Sequence, residues 1–94
     1  EYYLDEVSVF NVNAPSVQLL ANGNFENSTS NVTGWNQLCT SFCGGFPGTV
    51  STINCHIGNC FRDQCRASAG VDFLQQSFST VVGETYTISF MLYL

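Results

Sequence analysis

The sequence contains no lysine, and its only cations at neutral pH are Arg62 and Arg66, which leaves a net charge of -5. A protein that binds nucleic acid needs a basic face to replace the counterions on phosphate. The sequence therefore predicts no nucleic-acid partner. The apolar run at 88–94 is too short to span a bilayer, so no membrane insertion is expected either.

The sequence also lacks an initiator methionine, a signal peptide and a transmembrane segment. We therefore expect a mature product or a segment of a longer protein. Charged residues make up only 10% and hydrophobic residues 45% of the 94 residues, and this balance excludes a disordered chain. The length has room for one small domain.

Catalytic motifs are missing as well. The seven acidic residues include no pair in a recognisable catalytic motif, whereas glycoside hydrolysis needs two positioned carboxylates. His56 is the only histidine and follows Cys55, but a Cys–His nucleophile needs a free, activated thiolate. We therefore predict that the chain is not an enzyme.

In place of charged residues the sequence has Ser, Thr, Asn and Gln. Two N-glycosylation sequons, at Asn27 and Asn31, lie close together in this polar part of the chain. Glycans would solubilise a surface that carries little charge, so we predict N-linked glycans on Asn27 and Asn31. The alternative is a plain polar loop.

Cysteines are dense in one window of the chain, which is typical of a disulfide-bonded, secreted protein in an oxidising extracellular compartment. The five are Cys39, Cys43, Cys55, Cys60 and Cys65. Their spacings are CxxxC and CxxxxC rather than the paired CxxC of zinc sites, so zinc is the weaker alternative. The odd number leaves at least one thiol free or bonded to another chain, and the spacing does not give the pairing.

Alternating apolar residues predict a first β-strand over residues 1–10. The residues that alternate onto its inner face are Tyr3, Asp5, Val7 and Val9. Asp5 would then face the core, where a carboxylate needs a partner. Pro15 lacks the N–H of a strand ladder, so residues 11–16 are expected to be a linker.

The remaining residues, 17–94, are expected to form one β-sandwich domain with a cysteine-rich, loop-rich insert at 37–70. Strands are predicted over 17–26, near 49–53, over 71–80 and over 85–94. Turns are marked by Asn22-Gly23 and Val82-Gly83-Glu84. One face of the last strand carries Tyr86, Ile88, Phe90, Leu92 and Leu94. No segment has the period of a helix, so the sequence predicts an all-β fold.

Three groups of motifs occur along the chain: YYLDEVSV at 2–9, NGNFE with TGW at 22–26 and 33–35, and DFLQQSF with GETYTISF at 72–78 and 83–90. Together they resemble the galactose-binding-like jelly roll of extracellular carbohydrate-binding modules and related cell-surface repeat domains. The cysteine-rich variety resembles tandem-repeat secreted proteins of small aquatic animals such as rotifers. The resemblance implies a jelly-roll-like β-sandwich with a disulfide-stapled loop region.

The order of the motifs departs from that family. There, the NGNFE-type strand opens the domain and the LDDVSV-type strand closes it, whereas here the closing motif comes first. One interpretation is a boundary cut between two repeats, and another is pairing within the chain's own domain, as in a circular permutation. A third is a donor strand that fills an apolar groove in a neighbouring copy by β-strand addition. The donor-strand residues would be Tyr3, Leu4, Val7, Val9 and Phe10.

The resemblance also implies candidate binding residues. Modules of this type often hold a structural calcium between the opening and closing strands, which makes Asp5 and Glu26 its candidate ligands, since carboxylate oxygens suit calcium. The alternative is an exposed Glu26 and an Asp5 bonded to backbone amides. The family's TGW tryptophan is usually in the core, which implies a core position for Trp35 rather than sugar stacking. The aromatic residues of the cysteine-rich loops would contact a sugar or a neighbouring subunit, or pack against the disulfides: Phe42, Phe46 and Phe61.

These features predict a structural subunit or repeat of an extracellular glycosylated filament or assembly. Copies of the chain would be linked head to tail by β-strand complementation. The alternative is a carbohydrate-binding (lectin-like) module, or an adhesion repeat of a cell-surface protein, with glycans as partners. Apart from calcium and the N-linked glycans, no cofactor is expected.

Overall fold

A computed structural model describes residues 2–38, 43, 47–65 and 72–94, and over these ranges the regular elements are β-strands. The strands are β1 (Tyr2–Asn11), β2 (Asn36–Leu38), β3 (Thr49–Ser51), β4 (Cys60–Asp63), β5 (Phe73–Gln75) and β6 (Tyr86–Tyr93). The predicted all-β class is confirmed. Within the described ranges, no helix has the length and apolar character that crossing a membrane requires.

β1 lies inside a four-stranded antiparallel sheet of order β3-β4-β1-β6. Its first residues pair with β4, and both of its halves pair with β6. The pairing with β4 ends at Leu4. Past that point, the segment that follows β1 in the chain folds back and covers the same edge of β1. There Leu19 N–H donates to the Val9 carbonyl at 3.0 Å, and Val7 N–H donates to the Gly23 carbonyl at 2.9 Å. In this structure, β1 is therefore hydrogen-bonded on both edges within its own chain.

A β-bulge after Asp5 interrupts the pairing of β1 with β6. Glu6, at the bulge, has a left-handed φ of 51°. Before the bulge Asp5 lies opposite Met91, and after it Val9 lies opposite Ile88. These two β6 residues face opposite sides of the sheet, because successive pairs along a strand alternate. The prediction that residues 3, 5, 7 and 9 share one face is therefore wrong, since the extra residue of a bulge shifts the alternation by one.

The core lies on the face of the sheet that meets β2 and β5, which form a separate two-stranded antiparallel sheet. Phe25 is fully buried and stacks on Trp35, with ring centroids 5.6 Å apart. Phe61 of β4 lies 6.1 Å from Phe25 and is also buried. Asp72, just before β5, accepts hydrogen bonds from Gly48 N–H at 2.6 Å and from Gln37 Nε2 at 3.1 Å, and so joins the two sheets.

Several strand boundaries differ from the predictions. Residues 17–26 form bends and turns rather than a strand, because Asn22 and Phe25 adopt left-handed φ values of 51° and 59° that interrupt an extended chain. β5 covers three residues of the predicted 71–80 strand, of which residue 71 lies outside the described ranges. β3 and β6 fall within the predicted strands at 49–53 and 85–94. β2 and β4 lie in or beside the insert that was expected to be mostly loop.

Two disulfides staple the cysteine-rich region, Cys43–Cys65 and Cys55–Cys60, with Cα–Cα distances of 4.7 and 5.4 Å. They confirm that the chain is disulfide-bonded, and they are typical of a protein made in an oxidising compartment. They use four of the five cysteines, and the fifth, Cys39, lies outside the described residues.

Candidate functional site

The place that β1 fills between β4 and β6 is here named the β1 slot. Of the predicted donor-strand residues, Tyr3 is 8% and Val9 3% exposed in the slot. The others, Leu4, Val7 and Phe10, are half-buried. The Tyr3 ring contacts the ring of Tyr93 on β6, with centroids 5.9 Å apart. Side-chain burial therefore adds to backbone pairing in holding a strand in this slot.

Asp5 anchors β1 to a loop on the face of the four-stranded sheet that is opposite β2 and β5. Its side chain is 2% exposed, and both carboxylate oxygens accept backbone N–H groups. Glu6 N–H donates to Oδ1 at 2.8 Å, and Ile57 N–H donates to Oδ2 at 2.9 Å. This is the arrangement of the alternative in which Asp5 is bonded to amides. Because Ile57 is far from Asp5 in sequence, the second bond ties the strand to the loop.

Glu26 binds the same loop. Asn59 N–H donates to Glu26 Oε2 at 2.6 Å, although the Glu26 side chain itself is exposed. Gly58 has a left-handed φ of 58°, and a Cβ there would lie 2.5 Å from the same oxygen, so the close approach requires glycine. The Cys55–Cys60 disulfide closes this loop, which is named the carboxylate-binding loop (residues 55–60).

The two predicted calcium ligands, Asp5 and Glu26, are thus brought to one loop, but the groups that face them are N–H donors. Calcium takes six to eight oxygen ligands. The described residues contain no group of three or more His, Cys, Asp or Glu side chains that could hold a metal. Every buried polar side-chain atom among them has a hydrogen-bond partner. This donor set does not fit calcium, and the two carboxylates act as anchors for the loop.

An apolar groove of about 440 Å³ opens between the two sheets. Leu4 and Val7 line it from β1, Phe90 from β6 and Leu74 from β5, and Trp35, just before β2, completes the lining. The smaller sheet has strands of only three residues and leaves part of this face uncovered. Over the described residues, the two sheets therefore do not close into a complete sandwich.

A second cavity, of about 550 Å³, lies on the opposite face of the four-stranded sheet. Tyr3, Asp5 and Tyr93 line it from the sheet, and Asn54 and His56 line it from the adjoining loop. Tyr93 is 55% exposed, so one aromatic ring stands beside polar side chains at an open surface.

The predicted glycosylation sites are accessible. Asn27 and Asn31 are both exposed. Their backbone N–H groups are held by neighbouring side chains, Asn27 N–H by Asn22 Oδ1 and Asn31 N–H by Ser28 Oγ, each at 3.1 Å. The segment that carries the sequons is therefore a locally ordered turn with both asparagines at the surface.

The aromatic residues predicted as sugar contacts are placed differently from one another. Trp35 is half-buried, packs on Phe25 and donates from Nε1 to the Asn22 carbonyl at 2.9 Å, so it lies at the border of the core rather than fully inside it. Phe61 is 2% exposed and packs inside, so it offers no face to a sugar. Phe42 and Phe46 lie outside the described residues.

Tyr2, at the start of β1, carries a half-buried phenol. Burial raises the pKa of its phenol, and the nearby carboxylates of Asp63 and Asp72 raise it further. Burial and negative charge both disfavour the phenolate. The folded position of β1 therefore favours the neutral form of Tyr2.

Sequence reasoning missed the carboxylate-binding loop, because backbone N–H donors leave no residue-type signature. The one signal was Gly58 inside CHIGNC, a glycine in a short loop between two cysteines that the structure pairs. The β-bulge was missed for a similar reason, since Glu6 is not a residue that usually adopts a left-handed φ.

Comparisons with family models, with curated proteins and with solved structures found nothing that matches the chain. The jelly-roll resemblance therefore stays a prediction from short motifs.

Proposed function

We propose that the chain is a structural subunit or repeat of an extracellular, glycosylated assembly, in which copies are linked by β-strand complementation. The observation that carries this proposal is the position of β1. It is the first strand of the chain, yet it lies between β4 and β6, which come from the later part of the sequence.

This position makes β1 exchangeable. The linker at 11–16 joins it to the rest of the described chain. The linker is exposed over most of its length and closed by turn hydrogen bonds, Ala14 N–H to the Asn11 carbonyl and Val17 N–H to the Ala14 carbonyl. If these turns open and the pairing of β1 is broken, β1 can leave the slot while the chain connections between the other strands stay unchanged.

The slot makes the same contacts with β1 from either chain. Backbone pairing, the Tyr3–Tyr93 contact and the Asp5 anchor are identical whether the strand arrives from the same chain or from a neighbour. The equilibrium between the closed monomer and the strand-exchanged assembly then depends on the linker and on protein concentration, as in domain swapping. Exchange in one direction from copy to copy is heterologous, and it produces a filament unless it closes into a ring.

The open groove supports the same proposal. The apolar side chains along it, such as Phe90 and Leu74, remain in contact with solvent in an isolated copy. Packing copies together at strand exchange would cover such surface, which the hydrophobic effect favours. Glycans on the exposed sequons of the turn at 27–33 would solubilise the assembly.

Linker length tests the proposal. A variant that lacks residues 13–15 cannot easily return β1 to its own slot, so it should assemble at lower concentration than the wild type. A variant with several Gly-Ser residues inserted after Asn13 should favour return and should not form the larger species that strand exchange produces. The readouts are sedimentation velocity and negative-stain microscopy of the full chain. A wild type that stays monomeric at high concentration, together with a lengthened variant that behaves identically, would contradict the proposal.

A second candidate function, carbohydrate binding, is favoured by the cavity beside Tyr93. An exposed aromatic ring next to Asn54 and His56 is a combination that sugars can use for stacking and hydrogen bonds. Its test is a glycan array with wild type and Tyr93→Ala. Binding of the wild type to a glycan on the array that Tyr93→Ala abolishes would support this function. If the wild type binds no glycan on the array, this function is contradicted.

A further inference from the structure

β6 is a sheet edge that no strand of the described residues covers. It ends the four-stranded sheet, so one of its backbone edges pairs with β1 and the other pairs with no strand in the described part of the chain. Soluble proteins usually protect such an edge by keeping it short or by placing charges or proline on it. β3, at the opposite end of the sheet, has three residues, whereas β6 has eight residues and neither charge nor proline.

The absence of charge favours one kind of partner. Residues 85–94 contain no Asp, Glu, Lys, Arg or His, although the whole chain carries a net charge of -5. Two copies of this edge can therefore meet without like charges directly opposite each other, which would destabilise pairing. A basic partner would find no carboxylate on this edge to bind.

Exposed apolar side chains border the backbone edge of β6. Six large side chains at and beside its end are between 45% and 85% exposed: Ile88, Phe90, Met91, Leu92, Tyr93 and Leu94. At ~200 Å² for a large side chain, this amounts to roughly 700 Å² of exposed surface. Because successive side chains alternate between the two faces of the sheet, edge pairing covers only the part that borders the partner strand. This is less than the ~800 Å² that a standard specific interface buries on each partner, so backbone hydrogen bonds would carry most of the contact.

We propose that β6 is a second interface, at which two copies of this chain pair edge to edge through antiparallel β6 strands. The pairing is isologous, because a two-fold axis places the same strand of each copy opposite the other. It joins two four-stranded sheets into one continuous sheet. This interface uses a different surface from the β1 slot and does not depend on strand exchange.

The test introduces charge on the edge strand. Ile88→Lys places a lysine on a residue that is 64% exposed, and the two-fold axis repeats it in the partner copy. The like charges should raise the dissociation constant of the pair by about tenfold or more. Thr87→Lys removes no apolar surface and provides a second variant if Ile88→Lys fails to fold. Val82→Lys is the matched control, because Val82 is fully exposed in a turn outside β6.

Sedimentation equilibrium over a wide concentration range measures the effect. The wild type and Val82→Lys should form dimers, while both β6 variants should be monomeric at the same concentrations. Amide hydrogen exchange should show protection of β6 in the dimer that is lost on dilution. A wild type that remains monomeric, or a Val82→Lys variant that dissociates as much as the β6 variants, would overturn the proposal.

A locked form separates this interface from strand exchange. Ser8 and Ser89 are register partners, so the double variant Ser8→Cys/Ser89→Cys can bridge β1 to β6. A monomer purified with this bridge inside one chain cannot exchange β1. It should still form the edge-to-edge dimer. If it does not, while the wild type does, then the dimer arises from strand exchange and the β6 proposal fails.

Discussion

The anchoring of β1 by Asp5 leads to a prediction about stability. Replacing Asp5 with alanine leaves Ile57 N–H and Glu6 N–H without the acceptor that they bond at 2.9 and 2.8 Å. A hydrogen bond to a charged group contributes about 1.5–3 kcal/mol, and an unsatisfied buried donor costs a similar amount. Removing a buried carboxylate also relieves its desolvation, which offsets part of this loss. We expect Asp5→Ala to lower the free energy of unfolding by about 2–3 kcal/mol.

The assay is urea unfolding with the disulfides intact, followed by circular dichroism. The midpoint should fall by roughly 1–2 M if the slope is unchanged. Asp5→Asn keeps one acceptor oxygen and should lose about half as much free energy. Glu84→Gln is the control, because Glu84 is an exposed carboxylate that accepts one bond from Asn13, and its change should stay within about 0.5 kcal/mol. If Asp5→Ala loses no more than Glu84→Gln, the anchor is not a determinant of how β1 is held.

Three further predictions follow from other contacts. The raised pKa of Tyr2 contributes stability that is fully present below pH ~10 and is lost as pH rises through the folded-state pKa. The urea midpoint of the wild type should therefore fall more steeply with alkaline pH than that of Tyr2→Phe, and an equal pH dependence of the two midpoints would contradict this. In Gly58→Ala the added Cβ strains the left-handed φ and clashes with the Glu26 carboxylate, so the free energy of unfolding should fall by about 1–3 kcal/mol in the same urea assay. An unchanged midpoint would show that the loop adjusts without cost. Intact-mass spectrometry of protein from a glycosylating host, before and after removal of N-glycans, should show sugar on Asn27 and Asn31, and a mass without sugar at both would refute the glycoprotein prediction.

The sequence predicted the strands whose pattern is local. β6 alternates polar and apolar residues up to Phe90 and follows a turn at Gly83, so period and turn chemistry agree, and the structure forms a strand there. β1 was also predicted, since aromatic and β-branched residues favour strands over most of its length.

What the sequence did not predict depends on contacts between distant residues. The strand expected at 17–26 is replaced by turns, in which Asn22 Oδ1 and the Asn22 carbonyl accept bonds from Asn27 N–H and Trp35 Nε1. One of the two amide donors for Asp5, Ile57 N–H, comes from a loop some fifty residues away, which no local pattern reveals. The exposure of β6 was missed as well, because an alternating apolar strand normally indicates burial of one face, whereas here much of that face is left uncovered.

The origin of the strand in the β1 slot of the assembled protein can be measured directly with the Ser8→Cys/Ser89→Cys variant. Cys39→Ser is added so that this thiol does not form other bridges, and oxidised material at high concentration is run on a denaturing gel without reductant. If neighbours supply β1, the new bridge joins one chain to the next and gives a ladder of covalent dimers, trimers and longer species. If every chain migrates as a monomer with its new bridge formed, β1 stays in its own sheet, and linkage of copies by strand exchange is contradicted.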